Sequence, residues 1–127
     1  MDHTELAALM SHRRTVAPGE IIFLEGQPAD HAYVILQGEV QVTVTDTHGT
    51  TVVINRMPPG ELFGELALLE GPGLRTATAL SKDGCELLEI EKDVFAKRLS
   101  GADPLLRFVI SHLAKRVVMW TDRVKGA

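Results

Sequence analysis

The chain has 127 residues, a formal net charge of −4 and a single cysteine, Cys85. Its length fits one domain, and its net charge gives no electrostatic reason to expect a nucleic-acid backbone as partner. One cysteine excludes an intrachain disulfide and a metal site built from several thiolates.

The N-terminal sequence MDHTELAALMSHRR carries charge throughout and lacks the apolar core of a signal peptide. Within it, Thr4 to Ser11 can form a short amphipathic helix. No later run reaches the roughly 18 apolar residues of a membrane-spanning helix. We therefore expect a cytoplasmic protein with no membrane segment in this chain.

Short β-rich segments alternate with turn signals from about residue 12 onward. Val40, Val42 and Val44 alternate with polar residues, which is the period of a half-buried strand. The sequence DTHG, residues 46–49, separates this strand from TTVVINRM and indicates a hairpin loop. Many short strands with regular turns predict an antiparallel sandwich or barrel.

The C-terminal part is helical by its pattern. Lys92 to Leu99 predicts a short helix that Gly101 ends, and Asp103 can cap a following helix that has Pro104 at its first position. Apolar residues then recur at alternating spacings of four and three, as in an a/d stripe: Leu106, Ile110, Leu113, Val117, Trp120 and Val124. This stripe either packs on the domain's own β-core or pairs with a second copy in a homodimer.

The segment GELFGELALLEGPGLRTATAL, residues 60–80, combines groups that suit a phosphate. Gly64 can take a backbone conformation closed to other residues and lets a ligand approach the main chain. Residues 65–69 are helix-compatible, and the free N–H groups of such a turn attract an anion. Arg75 offers a planar fork of donors for phosphate oxygens, and Thr76 adds a hydroxyl and an N–H.

Glu65 would repel a phosphate and therefore needs another partner, such as the hydroxyl group of a sugar. A ligand with one phosphate anion beside a free ribose hydroxyl would use all of these groups. The alternative is a salt bridge between Glu65 and Arg75 across the loop, which at a surface is worth only ~0–1 kcal/mol.

The core of this segment, FGELALLEGPGLRTA, resembles the phosphate-binding cassette of cyclic nucleotide-binding domains. That family's pattern is Phe/Ile-Gly-Glu-Leu-Ala-Leu followed by Arg-(Ser/Thr/Ala)-Ala. Upstream, PGEIIFLEGQPADHAYVILQGEVQV resembles the first hairpins of the family, and DPLLRFVISHLAKRV resembles the long C-terminal helix of catabolite-activator-type regulators. The resemblance implies one domain over residues 1–127: an eight-stranded antiparallel β-roll of jelly-roll type at about 12–91, with flanking helices that include C-terminal ones at about 92–124.

The resemblance also implies a 3′,5′-cyclic nucleotide as ligand. Arg75 would pair with the cyclic phosphate, helped by Thr76 and by backbone N–H groups near Leu66, and Glu65 would accept a hydrogen bond from the ribose 2′-OH. Further positions match residues that line the base and sugar side of the pocket or contact the base from the long helix: Val42, Ile54, Met57, Trp120 and Thr121. Trp120 could equally be a packing anchor only. Family frequency favours cAMP, and Thr76 leaves cGMP open.

Other functions have weaker support in the sequence. A metal-dependent cupin enzyme also has a β-roll, but it needs converging histidines, typically a His-x-His pair. None of the five histidines forms such a pair, and His31 and His48 fall in predicted turns. We therefore expect a binding module with no metal and no catalysis.

Regulators of the resembled type carry a helix-turn-helix domain of about 70 residues after the long helix. This sequence has no room for one, so DNA binding is not expected, and the chain is either a free-standing receptor or a fragment of a larger protein. The alternative function is a ligand-independent dimerisation or interaction module that retains the fold.

Overall fold

The computed structural model describes residues 12–69 and 72–126, without the side chains of residues 121, 122 and 124–126. The predicted helix at Thr4 to Ser11 lies outside the described residues. The described part contains eight strands and three helices in this order: β1 His12–Val16, β2 Glu20–Phe23, β3 His31–Gly38, β4 Val40–Thr45, β5 Thr51–Met57, β6 Leu62–Phe63, α1 Leu66–Leu69, β7 Thr78–Ser81, β8 Cys85–Glu91, α2 Lys92–Ser100 and α3 Pro104–Gly126.

The strands form two four-stranded sheets, in the orders β1-β8-β3-β6 and β2-β7-β4-β5, and every pairing is antiparallel. This confirms the predicted eight-stranded antiparallel fold. A hydrophobic core draws side chains from both sheets, because each strand turns one face inward: Val16, Ile22, Tyr33, Ile35, Val40, Met57, Phe63, Ala79, Cys85 and Leu87.

Two turns show why the chain reverses where the sequence predicts. In the loop after β4, the Asp46 carboxylate accepts hydrogen bonds from the backbone N–H groups of His48 and Thr50, both at 2.9 Å, which confirms the DTHG hairpin loop. Between β3 and β4, Gly38 has a φ of +86°, and a Cβ there would lie 2.5 Å from the carbonyl oxygen of Gly84. Only glycine fits this position.

The helices begin and end at the predicted signals. α2 ends at Gly101, and the Asp103 carboxylate accepts a hydrogen bond of 2.8 Å from the N–H of Leu105 at the start of α3. α3 lies against α1 and β4, and it buries Ala114. In the part of the chain that the structure describes, no helix has both the length and the apolar character needed to cross a bilayer.

Two details differ from the sequence-based expectation. The alternation predicted for β4 is wrong in part, because Thr43 is buried and Val42 is only half-buried. The pairing of β4 with β5 shifts register between these two residues, and Val42 lines a cavity. His31 was expected in a turn, but it begins β3, where its imidazole Nδ1 lies 2.9 Å from the carboxylate of Asp30.

Candidate ligand-binding site

A cavity of about 230 Å³ opens beside the cassette segment. A water molecule takes about 30 Å³ of the liquid, so this cavity has room for a small organic molecule. Its wall combines residues of the second sheet, the β6–α1 segment, the segment before β7 and one residue of α3: Phe23, Val42, Ile54, Asn55, Met57, Glu61, Leu62, Phe63, Gly64, Glu65, Leu66, Ala67, Arg75, Thr76, Ala77 and Val117.

Arg75 is the most deeply buried charged group in this wall. The residue is 4% exposed, and its two terminal nitrogens donate hydrogen bonds of 2.6 Å to the carbonyl oxygens of Gly64 and His31. The guanidinium carbon lies 4.0 Å from the centre of the Phe23 ring, a cation–π contact. Burial lowers the pKa of Arg75, against the opposing effects of Tyr33 and of nearby carboxylates. The Nε atom is buried and has no hydrogen-bond partner.

Gly64 leaves the space that the guanidinium group of Arg75 occupies. Its φ is +80°, and a Cβ there would lie 3.0 Å from Nη1 of Arg75 and 3.3 Å from the rings of Phe23 and Tyr33. Any other residue would therefore be strained in its backbone and would crowd the guanidinium group. The glycine of the sequence motif is required both for the turn and for the close approach of Arg75.

Glu65 follows this turn, and one oxygen of its carboxylate lacks a hydrogen-bond partner. Its Oε2 atom is buried and has no hydrogen-bond partner, and burial raises the pKa of the carboxyl group, although its own N–H and Arg75 act in the opposite direction. No ion pair within 4.0 Å joins Glu65 to Arg75 among the residues that the structure describes. The salt bridge considered as the alternative for this pair is therefore not formed.

The two unpaired atoms have complementary chemistry. Oε2 of Glu65 is an acceptor and Nε of Arg75 is a donor, and both residues line the same cavity. A buried polar atom without a partner costs about 1–3 kcal/mol. A ligand that offers a hydroxyl to the carboxylate and an anionic oxygen to the guanidinium would remove both penalties.

Most of the predicted site residues meet around this cavity: Val42, Ile54, Met57, Gly64, Glu65, Leu66, Arg75 and Thr76. Trp120 does not line it. This residue is 62% exposed and borders a separate groove on α3, where the guanidinium of Arg123 lies 5.4 Å from the centre of the indole ring. The side chain of Thr121 lies outside the described residues.

Eight residues of the cavity wall were not among the predicted site residues, and five of these lie in the cassette segment itself: Glu61, Leu62, Phe63, Ala67 and Ala77. The other three come from elsewhere in the chain. Phe23 belongs to β2, and no local signal links it to a segment so much later in the chain. Asn55 lies on β5 beside the predicted Ile54, and a regular strand would have turned it away from the cavity. Val117 belongs to the apolar stripe of α3, which indicated packing rather than a ligand.

The cavity has no features of a metal centre. Within residues 12–69 and 72–126, no three His, Cys, Asp or Glu side chains converge in a way that could hold a metal ion. The polar groups of the cavity wall are the carboxylates of Glu61 and Glu65, the guanidinium of Arg75, the hydroxyl of Thr76, the amide of Asn55 and main-chain groups, set among apolar side chains.

Known proteins are similar to this chain in both sequence and fold. The family model described as the cyclic nucleotide-binding domain matches residues 13–101. The cAMP-dependent protein kinase regulatory subunit of Dictyostelium discoideum is 34% identical over 93 residues, which are 70% of this chain and 28% of that subunit. The cAMP-activated global transcriptional regulator CRP of Salmonella typhimurium is 28% identical over 100 residues, which are 79% of this chain and 48% of that regulator.

Among solved structures, the EAL enzyme Bd1971 in its cAMP-bound form superposes with a TM-score of 0.78 at 28% identity, covering 84% of this chain and 28% of that enzyme. The same enzyme is known in a cGMP-bound form with a TM-score of 0.77. This chain spans less than half the length of each of these relatives. With the family model matching most of its residues, the chain belongs to the cyclic nucleotide-binding domain family.

Proposed function

We propose that this domain is a regulatory sensor that binds a 3′,5′-cyclic nucleotide, cAMP in preference to cGMP, and catalyses no reaction itself. Arg75 holds the cyclic phosphate together with Thr76 and the main chain near Leu66. Glu65 accepts a hydrogen bond from the ribose 2′-OH. The apolar residues Val42, Ile54 and Met57 face the sugar and the base.

One observation carries this proposal: Oε2 of Glu65 and Nε of Arg75 are buried without partners, and their two residues line one cavity. Folding alone gives no benefit for burying a carboxylate oxygen and a guanidinium nitrogen without partners in the wall of one cavity. A cyclic nucleotide presents an anionic phosphate next to a free 2′-hydroxyl, which matches one group to each residue.

The preference for cAMP is supported by the names of the related kinase subunit and transcriptional regulator. The related EAL enzyme has been solved with either nucleotide, so the fold itself accommodates both purines. In the family, a threonine after the arginine reads the guanine amine in some members, and Thr76 therefore leaves this domain able to bind cGMP with lower affinity.

The sensor's output is a new position of α3. Val117 contributes to the cavity wall, so a bound ligand touches this helix directly. Trp120 and Thr121 follow Val117 by about one turn, and they contact the base once the helix moves toward the ligand. A ligand that binds one position of α3 more tightly than another shifts the helix between them.

Trp120 is the sole tryptophan of the chain, which makes the proposal testable by fluorescence. Saturating cAMP should shift the emission of Trp120, because the indole exchanges solvent and Arg123 for the ligand. The control is Arg75→Lys, which loses the planar fork and should need at least about tenfold more cAMP for the same shift. Saturable binding of cAMP with unchanged emission would contradict the movement of α3.

A second candidate function, ligand-independent dimerisation, has one observation in its favour. Of the stripe residues with described side chains, Ile110 is half-buried, and the others are 47–62% exposed: Leu106, Leu113, Val117 and Trp120. The domain's own core therefore covers this stripe only in part. A homodimer through α3 would cover it, with or without nucleotide.

A further inference from the structure

A β-bulge in β5 brings an additional polar side chain to the cavity. β5 pairs with β4 regularly from Thr51 to Val53, but the next pair joins Val42 to Asn55, so Ile54 is an extra residue. In a regular strand, neighbouring side chains point to opposite faces. Here Ile54 and Asn55 both line the cavity.

The bulge lies at the far end of the cavity wall from the groups that suit a phosphate. Across the second sheet, Val42 of β4 pairs with Ala79 of β7 on one side and with Asn55 of β5 on the other. Neighbouring strands are about 4.8 Å apart, so β5 lies about 10 Å from β7. Arg75 and Thr76 lie three and two residues before the start of β7. Asn55 is therefore separated from them by the width of β4.

This position is where a nucleotide would place its base. A ligand with its phosphate on Arg75 and its ribose hydroxyl on Glu65 extends its base away from both, along the wall formed by Val42 and Ile54. Among the described residues of β4 and β5, Asn55 is the polar side chain that this wall presents to the cavity. No hydrogen bond of its side-chain amide is found in the described part of the chain, so the amide is available to a ligand.

Resting on the proposed function, we propose that Asn55 reads the edge of the base and selects adenine over guanine. A side-chain amide offers one acceptor oxygen and an NH₂ donor. Adenine presents the N7 acceptor beside the N6 amine donor, so both amide groups find a partner. Guanine presents two acceptors at this edge, N7 and O6, and would leave the oxygen of Asn55 facing another oxygen.

The test compares Asn55→Ala with a control variant, Arg56→Ala. Arg56 is the next residue on β5, but its side chain pairs with Glu39 and does not line the cavity. Calorimetry would measure Kd for cAMP, for cGMP and for the 3′,5′-cyclic monophosphate of purine riboside, which lacks the 6-amino group. Asn55→Ala should weaken cAMP binding by about tenfold, and the other two ligands by clearly less, because they share only the N7 acceptor with adenine. Arg56→Ala should change none of the three.

A second variant, Asn55→Asp, keeps the size of the side chain and an acceptor for the N6 amine but removes the donor to N7. Its carboxylate would face one acceptor on adenine and two on guanine, so this variant should raise the preference for cAMP over cGMP. An unchanged ratio of the two affinities in both Asn55 variants would overturn the assignment of Asn55, and so would an equal loss for all three ligands. If the unaltered domain binds none of the three cyclic nucleotides, the proposed function is wrong, and the role assigned to Asn55 is wrong as well.

Discussion

The carboxylate of Glu65, the proposed partner of the ribose hydroxyl, is a group that lowers the stability of the ligand-free domain. Its Oε2 atom is buried without a partner, and burial raises its pKa above the ordinary value of 4.5. The folded state therefore holds this proton more tightly than the unfolded chain. Stability falls as the pH rises from 4.5 through the raised value, and above that value the penalty is constant.

Replacing Glu65 by Gln should therefore make the ligand-free domain more stable at pH 7. The gain should shrink as the pH falls through the raised pKa toward 4.5 and be lost below that, because the wild-type carboxyl group is then protonated in both states. The same variant should bind cAMP more weakly, since a neutral amide is a poorer acceptor for the 2′-OH. Thermal unfolding from pH 4 to 8 and calorimetry would measure the two effects. A variant that is less stable at pH 7 would show that the carboxylate has a stabilising partner.

Arg75 has a structural role in addition to its proposed role in binding phosphate, and this affects how it can be tested. Its side chain satisfies the carbonyl oxygens of Gly64 and His31 and packs on Phe23. Removing it to Ala leaves buried acceptors unpaired, at about 1–3 kcal/mol each, so loss of binding and loss of stability would be mixed. Arg75→Lys keeps a charge and a donor but not the planar fork, and it is the better variant for testing phosphate recognition.

The element that decides the quaternary structure is α3. The exposed stripe residue Leu113 lies at a d position, where a charge would have to be buried between two copies. If α3 dimerises, Leu113→Asp should give monomers at micromolar concentration in sedimentation experiments.

Leu105→Asp provides the matched control for this prediction. It makes the same change at another exposed leucine of α3, outside the a/d stripe, and it should leave the dimer intact. A wild-type domain that sediments as a monomer with and without cAMP would exclude dimerisation through this helix.

At the scale of the whole molecule, two antiparallel sheets carry a long helix, α3, whose apolar surface is mostly exposed. The residues proposed to bind the phosphate and the ribose come from the segments around β6, α1 and β7, which the two sheets hold in place. α3 buries Ala114 and leaves most of its apolar residues exposed. Because so much of its apolar surface is uncovered, α3 is the element whose position we propose that ligand binding changes.

The sequence predicted the strands, the hairpin loop at Asp46, the cap at Asp103 and the cassette residues, because each depends on local chemistry or on a contiguous motif. Asn55 was missed because a bulge, which follows from the pairing of two strands, overrides the alternation of side chains. Phe23 was missed because its contact with Arg75 depends on the tertiary fold. The a/d spacing of α3 was visible, but spacing alone does not reveal which side of a helix is covered.

The most direct measurement is calorimetric titration of the domain, refolded from denaturant to remove any nucleotide retained during purification, with cAMP, cGMP and 5′-AMP. Binding should be saturable with one site per chain, tighter for cAMP than for cGMP, and absent for 5′-AMP, which lacks the cyclic phosphate. Arg75→Lys should bind cAMP at least about tenfold more weakly, because it has lost the planar fork. No saturable heat from correctly refolded wild-type domain with either cyclic nucleotide would contradict the proposed function and leave dimerisation as the role of the fold.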